Sequence, residues 1–383
     1  MNVDLLPFDA AALTDLCGEL DAWRERLDTR VSLTRTWAGR LRRELEAEAI
    51  GASLAMEQVP VSVDDVRRIL AGQPPPAVSL DDVALVTGYR DAMAFVLRRA
   101  DEPVFRWSRE VVTGVHDRVL AGRWSLGAGR IRDGVVVIVS GSGAVMFTPP
   151  PAAEVPALLD HACDLAERAE VHPGVLSAWV HLMVAAIHPF SDGNGRTARI
   201  AASLAMFRGG FRLPEFTSLE EWWGRNRGDY YGAFACLGTH FDRHADSTPF
   251  LAAHLRAQID QVRSLDLRQR VDGEIWTLLE NIASDLHLPA RIANALWDAF
   301  FGREVTSTYY GELADLSPAS ARIDLAAAVT GGLLTPTGER RFRRYLTGPR
   351  LYPLVGEHLG VPVTSHASSR DTLMAELSRR REG

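Results

Sequence analysis

His188-Pro189-Phe190-Ser191-Asp192-Gly193-Asn194-Gly195-Arg196-Thr197-Ala198-Arg199 is the stretch around which the rest of this chain is organised. It is polar, and apolar runs flank it, Ala178 to Ile187 before and Ile200 to Phe207 after, both at helical spacing. The pattern predicts two buried helices joined by a tight loop, with Asn194-Gly195 where the second helix begins. The first N–H groups of a helix have no intrahelical partner and carry partial positive charge, so this helix mouth is a ready anion site. Gly193 and Gly195 let the backbone turn sharply and approach a phosphate without a side chain in the way. Arg196 and Arg199 are three apart, on one helix face and in reach of the same polyphosphate. Asp192 suits Mg²⁺, which takes one or two carboxylates plus phosphate oxygens. His188 is the one side chain here whose ordinary pKa suits a base near neutrality. The constellation predicts a Mg–nucleotide held beside a general base. A helix–loop–helix with an inert polar connector is the simpler alternative, and Gly-Asn-Gly alone would not exclude it.

Taken together, the twelve residues resemble the signature of the Fic family, His-x-Phe-x-(Asp/Glu)-Gly-Asn-Gly-Arg-x-x-Arg, position by position. Eight fixed positions make chance agreement rarer than about one in a million over a chain of this length. The resemblance covers residues 35–250 and implies a mostly α fold, the helical Fic domain with a β-hairpin flap. It also implies a protein adenylyltransferase, which moves AMP from ATP to a Tyr, Thr or Ser hydroxyl of a protein, the chain itself included, with Mg²⁺. On that resemblance His188 takes the hydroxyl proton and Asp192 holds the metal. The amides of Gly193, Asn194 and Gly195 and the guanidiniums of Arg196 and Arg199 hold the phosphates. Relatives that transfer the γ-phosphate instead carry Ala-Asn and a Lys in this loop, and Gly193 and Arg196 count against that here.

The whole chain is compatible with this reading. Its 383 residues leave room for two or three domains. With 46% hydrophobic and 24% charged residues and a net charge of −7, it is not generally suited to coating nucleic acid. Cys17, Cys163 and Cys236 lie far apart without metal spacing, which points to a reducing, cytoplasmic setting. No basic-then-apolar leader and no long apolar run points to a membrane. All 42 basic residues are Arg. A P-loop lysine, a protein-kinase strand lysine and a Schiff-base lysine are therefore excluded, and a nucleotide must be held by arginines and amides.

Outward from the signature, four parts are expected: an N-terminal helical region (1–76), a Fic catalytic domain (77–262), a winged-helix-like domain (268–355) and a tail (356–383). Leu5 to Leu27 and Thr34 to Glu46 have helical spacing, and Ala49 to Met56 reads as a helix buried against another domain. Ser62 with Asp65 is a helix start, and Gln73-Pro74-Pro75-Pro76 a stiff break. Ser53-Leu54-Ala55-Met56-Glu57 resembles the inhibitory motif of Fic proteins, (Ser/Thr)-x-x-x-Glu-(Gly/Asn). There the Glu pairs with the second signature Arg, here Arg199, and keeps the γ-phosphate from seating. Gln58 departs from the usual Gly or Asn. A solvated charge at a helix end is the plainer account of Glu57.

Val135 to Val139 and Ala144 to Thr148 around Ser140-Gly141-Ser142-Gly143 read as a hairpin. Its first strand (Val135, Val136, Val137, Ile138, Val139) resembles the Fic flap, which aligns a target segment by main-chain pairing. Glu154 to Glu170 reads as a helix, and so does Trp222 to Leu237. The latter carries Tyr230 and Tyr231, which by resemblance line the nucleoside pocket, although Gly238 stands where some relatives have a base-contacting Asn. His161, His172 and His181 lack metal-ligand spacing, and each reads as a structural or a surface histidine. After residue 268, helices and a hairpin resemble a winged helix, with Ser317-Pro318 opening a helix and Arg340, Arg341, Arg343 and Arg344 on the wing. Packing or homodimerisation is favoured over DNA contact in this acidic chain. Asp371 to Glu382 reads as a short terminal helix. The rival to catalysis is a DNA-binding regulator whose Fic part senses nucleotide, or a Fic enzyme moving another phosphate-containing group.

Overall fold

A computed structural model describes the chain except residues 1–3, 29–34, 214–215, 217–218, 340–341, 370–371, 374 and 376–383. It is mostly α-helical and divides into two units, Met1–Val262 and Arg263–Gly383. No helix among the described residues is long and apolar enough to cross a membrane.

The first unit holds α1 (Thr14–Asp28), α2 (Arg35–Met56), α3 (Val63–Leu70), α4 (Leu80–Ala100) and α5 (Arg109–Val119). A hairpin of β1 (Ile138–Val139) and β2 (Val145–Phe147) follows, then α6 (Val155–Glu167), α7 (Pro173–Ile187), α8 (Asn194–Arg208), α9 (Leu219–Arg225) and α10 (Arg227–Ala233). The long α11 (Thr248–Asp285) begins in this unit. α7 is buried through six successive residues, Trp179 to Val184, and α8 from Thr197 through Phe207. A helix covered on every side must be central. The two pack along each other, with α4 and α5 against α8, α6 against α7, and α2 against α3 and α9. One apolar cluster runs from Leu5 to Val262, so residues on both sides of the Gln73–Pro76 break share it. His188 and the helix mouth thus sit at the ends of two helices buried along most of their length.

Local chemistry sets the boundaries. Ser62 caps α3 with a capping box closed by Asp65, and Ser79 caps α4 by accepting the Asp82 N–H at 3.0 Å. Three sequence expectations are corrected. The helix expected from Leu5 starts only at Thr14, while Leu5 and Leu6 are buried as irregular chain; Pro7 disfavours helical geometry at the residue before it. The helix expected over Trp222 to Leu237 breaks at Asn226 (φ −117°, ψ 50°), whose side-chain amide joins its own main-chain N–H on the Trp222 carbonyl, at 2.8 and 3.0 Å, and closes the turn there.

The flap strand is shorter than expected, since only Ile138 and Val139 pair with β2, leaving Val135, Val136 and Val137 outside the ladder. The register aligns those residues with Thr148, Pro149 and Pro150. Prolines have no N–H to donate, and Thr148 bonds instead to Thr239 and Phe241, at 2.9 Å each.

The second unit contains the rest of α11, then α12 (Ala293–Phe300), α13 (Ser307–Ala314), α14 (Pro318–Thr330), an antiparallel hairpin of β3 (Leu334–Thr337) and β4 (Arg344–Thr347), and α15 (Leu351–Leu359). Ser317 caps α14 by accepting the Ser320 N–H, with Pro318 in its first turn. The buried carboxylate of Asp324 receives Arg291 Nε at 2.7 Å and the Tyr310 hydroxyl at 2.8 Å. Of the four wing arginines, Arg343 is exposed and Arg344 lies 3.6 Å from Glu304. Arg340 and Arg341 lie outside the described residues, as does most of the expected helix from Asp371 to Glu382.

Candidate functional site

Gly193 caps α8 in the left-handed region (φ 75°), which an L side chain enters only at a cost of about 1–2 kcal/mol. The first backbone bond of the helix runs from Thr197 N–H to Gly193 C=O at 3.0 Å. The N–H groups of Asn194, Gly195 and Arg196 therefore stand at the mouth without a backbone acceptor among the described residues. The Asn194 side chain folds back on the loop. Its oxygen accepts the Phe190 N–H at 3.0 Å and its nitrogen donates to the Phe190 carbonyl at 2.8 Å, so the side chain braces the turn and only its main chain addresses the mouth.

The two signature arginines differ. Arg196 is 4% exposed, with Nη2 3.5 Å from Asp192 Oδ1, while its Nε and Nη1 are buried without a hydrogen-bond partner. Burial lowers its pKa against the pull of Glu57 and Asp192, yet a guanidinium stays charged. Arg199 is fully engaged: Nε donates to Ser53 Oγ at 3.1 Å, Nη1 to the Tyr230 hydroxyl at 3.2 Å and Nη2 to Glu57 Oε1 at 3.0 Å. Glu57 Oε1 also lies 2.7 Å from where a Gly195 Cβ would be, so the carboxylate hangs over the first turn of α8.

Glu57 can reach because of how α2 ends. Gln58 N–H bonds to Ala55 C=O at 3.1 Å and Val59 N–H to Leu54 C=O at 3.1 Å, a Schellman closure with Gln58 itself left-handed at φ 60°. The glutamine adopts the turn that Gly or Asn would take more cheaply. Ser53, completely buried one turn earlier, supplies the second contact to Arg199.

His188 ends α7, also left-handed (φ 50°, ψ 59°). Its Nδ1–H donates to the Ala185 carbonyl at 3.2 Å, so Nε2 carries the lone pair. Burial lowers the ring's pKa and Arg132 adds to this, against the Ala185 carbonyl, Glu57 and Asp192, which raise it. Asp192 is 56% exposed; its Oδ1 accepts the Gly193 N–H at 2.6 Å and no hydrogen bond engages its Oδ2 among the described residues. Tyr230 is buried against Arg199, and its hydroxyl is 3.2 Å from His181 Nε2, whereas Tyr231 is 58% exposed. Among the described residues no group of three or more His, Cys, Asp or Glu could hold a metal by itself.

Two residues that the sequence did not flag brace this loop. His116, fully buried, stacks on Phe190 with ring centroids 3.6 Å apart. Its Nε2–H donates to the Asp192 carbonyl at 2.9 Å while Nδ1 accepts the Gly129 N–H at 3.0 Å. Arg132, 5% exposed, donates to the carbonyls of His188, Gly134 and Pro150. Neither has a sequence signal: one is a histidine on an amphipathic helix, the other one arginine among 42.

Residues 106–206 match the sequence profile of the Fic/DOC family. This chain carries a Fic domain. Over 254 residues it is 28% identical to the protein adenylyltransferase fic-1 of Caenorhabditis elegans, a match spanning 63% of this chain and 44% of that protein. It is 31% identical over 140 residues to the protein adenylyltransferase Fic of Nematostella vectensis, spanning 36% of this chain and 29% of that one. The chain thus spans less than half the length of these curated relatives. Among solved structures, a Fic family protein from Desulfovibrio desulfuricans G20 superposes with a TM-score of 0.59 at 24% identity, over 90% of this chain and 98% of that one. A fragment of Fic-1 from C. elegans superposes with a TM-score of 0.54 at 22% identity, over 66% and 70% of the two chains. These likenesses establish the fold.

The buried histidines of the first unit carry a stability cost in acid. Burial pushes the His116 pKa down to about 4, and that of His254 to about 3. Above pH 6.5 neither state binds the proton. Below it, the unfolded chain takes up protons that the folded chain refuses, so stability falls as pH drops. His116 alone should remove on the order of 3 kcal/mol between pH 6.5 and 4. Urea denaturation across that range should show the decline, and His116→Gln should flatten its slope by about one proton.

Proposed function

We propose that this protein is a protein adenylyltransferase, which moves AMP from ATP to a Tyr, Thr or Ser hydroxyl of a protein and releases pyrophosphate. The observation that carries the reading is the pair of partnerless, buried guanidinium nitrogens of Arg196 beside a glycine-capped helix mouth. Buried donors without acceptors are rare, and a polyphosphate supplies acceptors to them and to the amides together. The names of the C. elegans and Nematostella relatives support the same chemistry.

In this reading a target hydroxyl attacks the α-phosphorus, and its proton passes to His188 Nε2 as the new O–P bond forms. The bond from the α-phosphorus to the α–β bridging oxygen breaks, and pyrophosphate leaves with that electron pair. The amides of Gly193, Asn194 and Gly195 stabilise charge growing on the phosphate oxygens, as an oxyanion hole does. Arg196 and Arg199 hold the β- and γ-phosphates in line. Asp192 suits the Mg²⁺ of Mg–ATP, because its exposed carboxylate keeps one oxygen unbonded and the phosphates furnish further ligands. Such an ion, when bound, neutralises charge on the α- and β-phosphates. Tyr231, the exposed member of the tyrosine pair, is the better candidate for the base, and Tyr230 acts through Arg199.

Glu57 is the inhibitor in this reading. Its carboxylate holds the Arg199 nitrogen and overhangs the helix mouth that a γ-phosphate requires, and one guanidinium cannot serve both anions equally. Val135, Val136 and Val137, whose main chain lies outside the ladder, and Ile138-Val139 beside them are the flap that aligns a target strand. ATP labelled at the α-phosphate is expected to mark protein when incubated with the Glu57→Gly chain. Label entering only from the γ-phosphate would replace adenylylation by a kinase reaction.

A further inference from the structure

Three arginines of the first unit are buried among the described residues: Arg196 and Arg199 of the signature, and Arg132. Among the described residues Arg132 forms no ion pair, and it spends its guanidinium on three main-chain carbonyls. Nε donates to His188 at 2.8 Å, Nη1 to Gly134 at 3.0 Å and Nη2 to Pro150 at 2.6 Å. Its own N–H donates to the Pro189 carbonyl at 2.9 Å. Gly134 and Pro150 are the two feet of the flap, and His188-Pro189 is the turn that carries the base. One planar group therefore bonds both feet of the flap to the turn of the base.

The arrangement suits Arg and no other residue. Its donors diverge in a plane and reach three acceptors at once, which the compact ammonium of Lys cannot copy. The His188 carbonyl lies at the C-terminus of α7, where a cation is also favoured by the helix dipole. His188 is held in a left-handed conformation that a non-glycine residue leaves readily unless its surroundings fix it. The flap needs such an anchor, because the ladder between its strands is only a few residues long.

We propose that Arg132 is a positioning residue that sets the distance between the flap and His188 Nε2, so that a hydroxyl aligned on the flap meets the base. This deepens the adenylyltransferase reading and rests on it for its activity readout. A misplacement of about 1 Å between reacting groups is enough to cost a large rate factor.

The test compares the full chain carrying Glu57→Gly alone with the same chain carrying Arg132→Ala or Arg132→Lys, all checked by thermal melting. Arg132→Ala is expected to lower protein labelling from α-labelled ATP by about tenfold while ATP affinity, which rests on the helix mouth and the signature arginines, holds. Hydrogen exchange should rise together in residues 133–150 and 185–190. Burial lowers the His188 pKa and Arg132 adds to it, while the Ala185 carbonyl and Asp192 raise it, Glu57 being absent from this background. The acidic limb of the rate should therefore move to higher pH in Arg132→Ala and stay in Arg132→Lys, which keeps the charge but recovers only part of the labelling. Unchanged labelling in Arg132→Ala, or exchange that rises in neither segment, would overturn the proposal. If the Glu57→Gly parent incorporates no α-label, the transfer reading falls, and the exchange of the two segments still decides the coupling.

Discussion

Glu57→Gly should raise incorporation of label from the α-phosphate of ATP by about 100-fold over the unaltered chain, which corresponds to about 2.8 kcal/mol. The size follows from where the carboxylate sits. Glu57 Oε1 accepts from Arg199 Nη2 at 3.0 Å, and that guanidinium is 3% exposed, so the pair is poorly screened. The same oxygen overhangs the first turn of α8 at Gly195. A terminal phosphate must displace it from both, and glycine removes that competition. Ser53 and Tyr230 continue to bond Arg199, so the variant should fold with a modest loss of Tm. Glu57→Gln, which keeps the size and loses the charge, should fall between the two. Equal labelling by the Glu57→Gly chain and the unaltered one would reduce Glu57 to a structural partner of Arg199.

His188→Ala in the Glu57→Gly background should lower labelling by about 10²–10⁴-fold with ATP affinity retained. The ring is arranged as a base: the bond from Nδ1 to Ala185 fixes the tautomer with its lone pair on Nε2. Burial holds its pKa below the ordinary histidine value, so the ring is neutral at pH 7. Transfer should accordingly persist below pH 6.5 and fade only as the ring gains a proton and can no longer accept one. Calorimetric binding of ATP beside quantitative labelling separates the two effects. Full labelling by His188→Ala would assign proton transfer to another group.

How far the site was legible varies from residue to residue. His188, the glycine cap, the helix mouth and both arginines were readable because they lie within twelve residues and follow from how a helix begins. The flap was readable as a hairpin but not in extent, since its pairing depends on Pro149 and Pro150 and on Thr148 turning to Thr239. Asn194 was legible through its main chain alone; that its side chain braces Phe190 is a matter of the folded turn. The resemblance named both members of the tyrosine pair, and only packing decided that Tyr230 is the buried one and Tyr231 the exposed one.

By itself the sequence determined a helical chain built around a glycine-rich polar loop at a helix mouth, because apolar periodicity and helix-end chemistry act over a few neighbouring residues. The tertiary structure alone decided that Glu57 meets Arg199 across 142 residues, that His116 clamps Asp192 across 76 and that Arg132 grips His188 across 56. Such contacts between distant segments exist only once the core has fixed where α2, α5 and the flap lie against the ends of α7 and α8, and no local pattern encodes that distance.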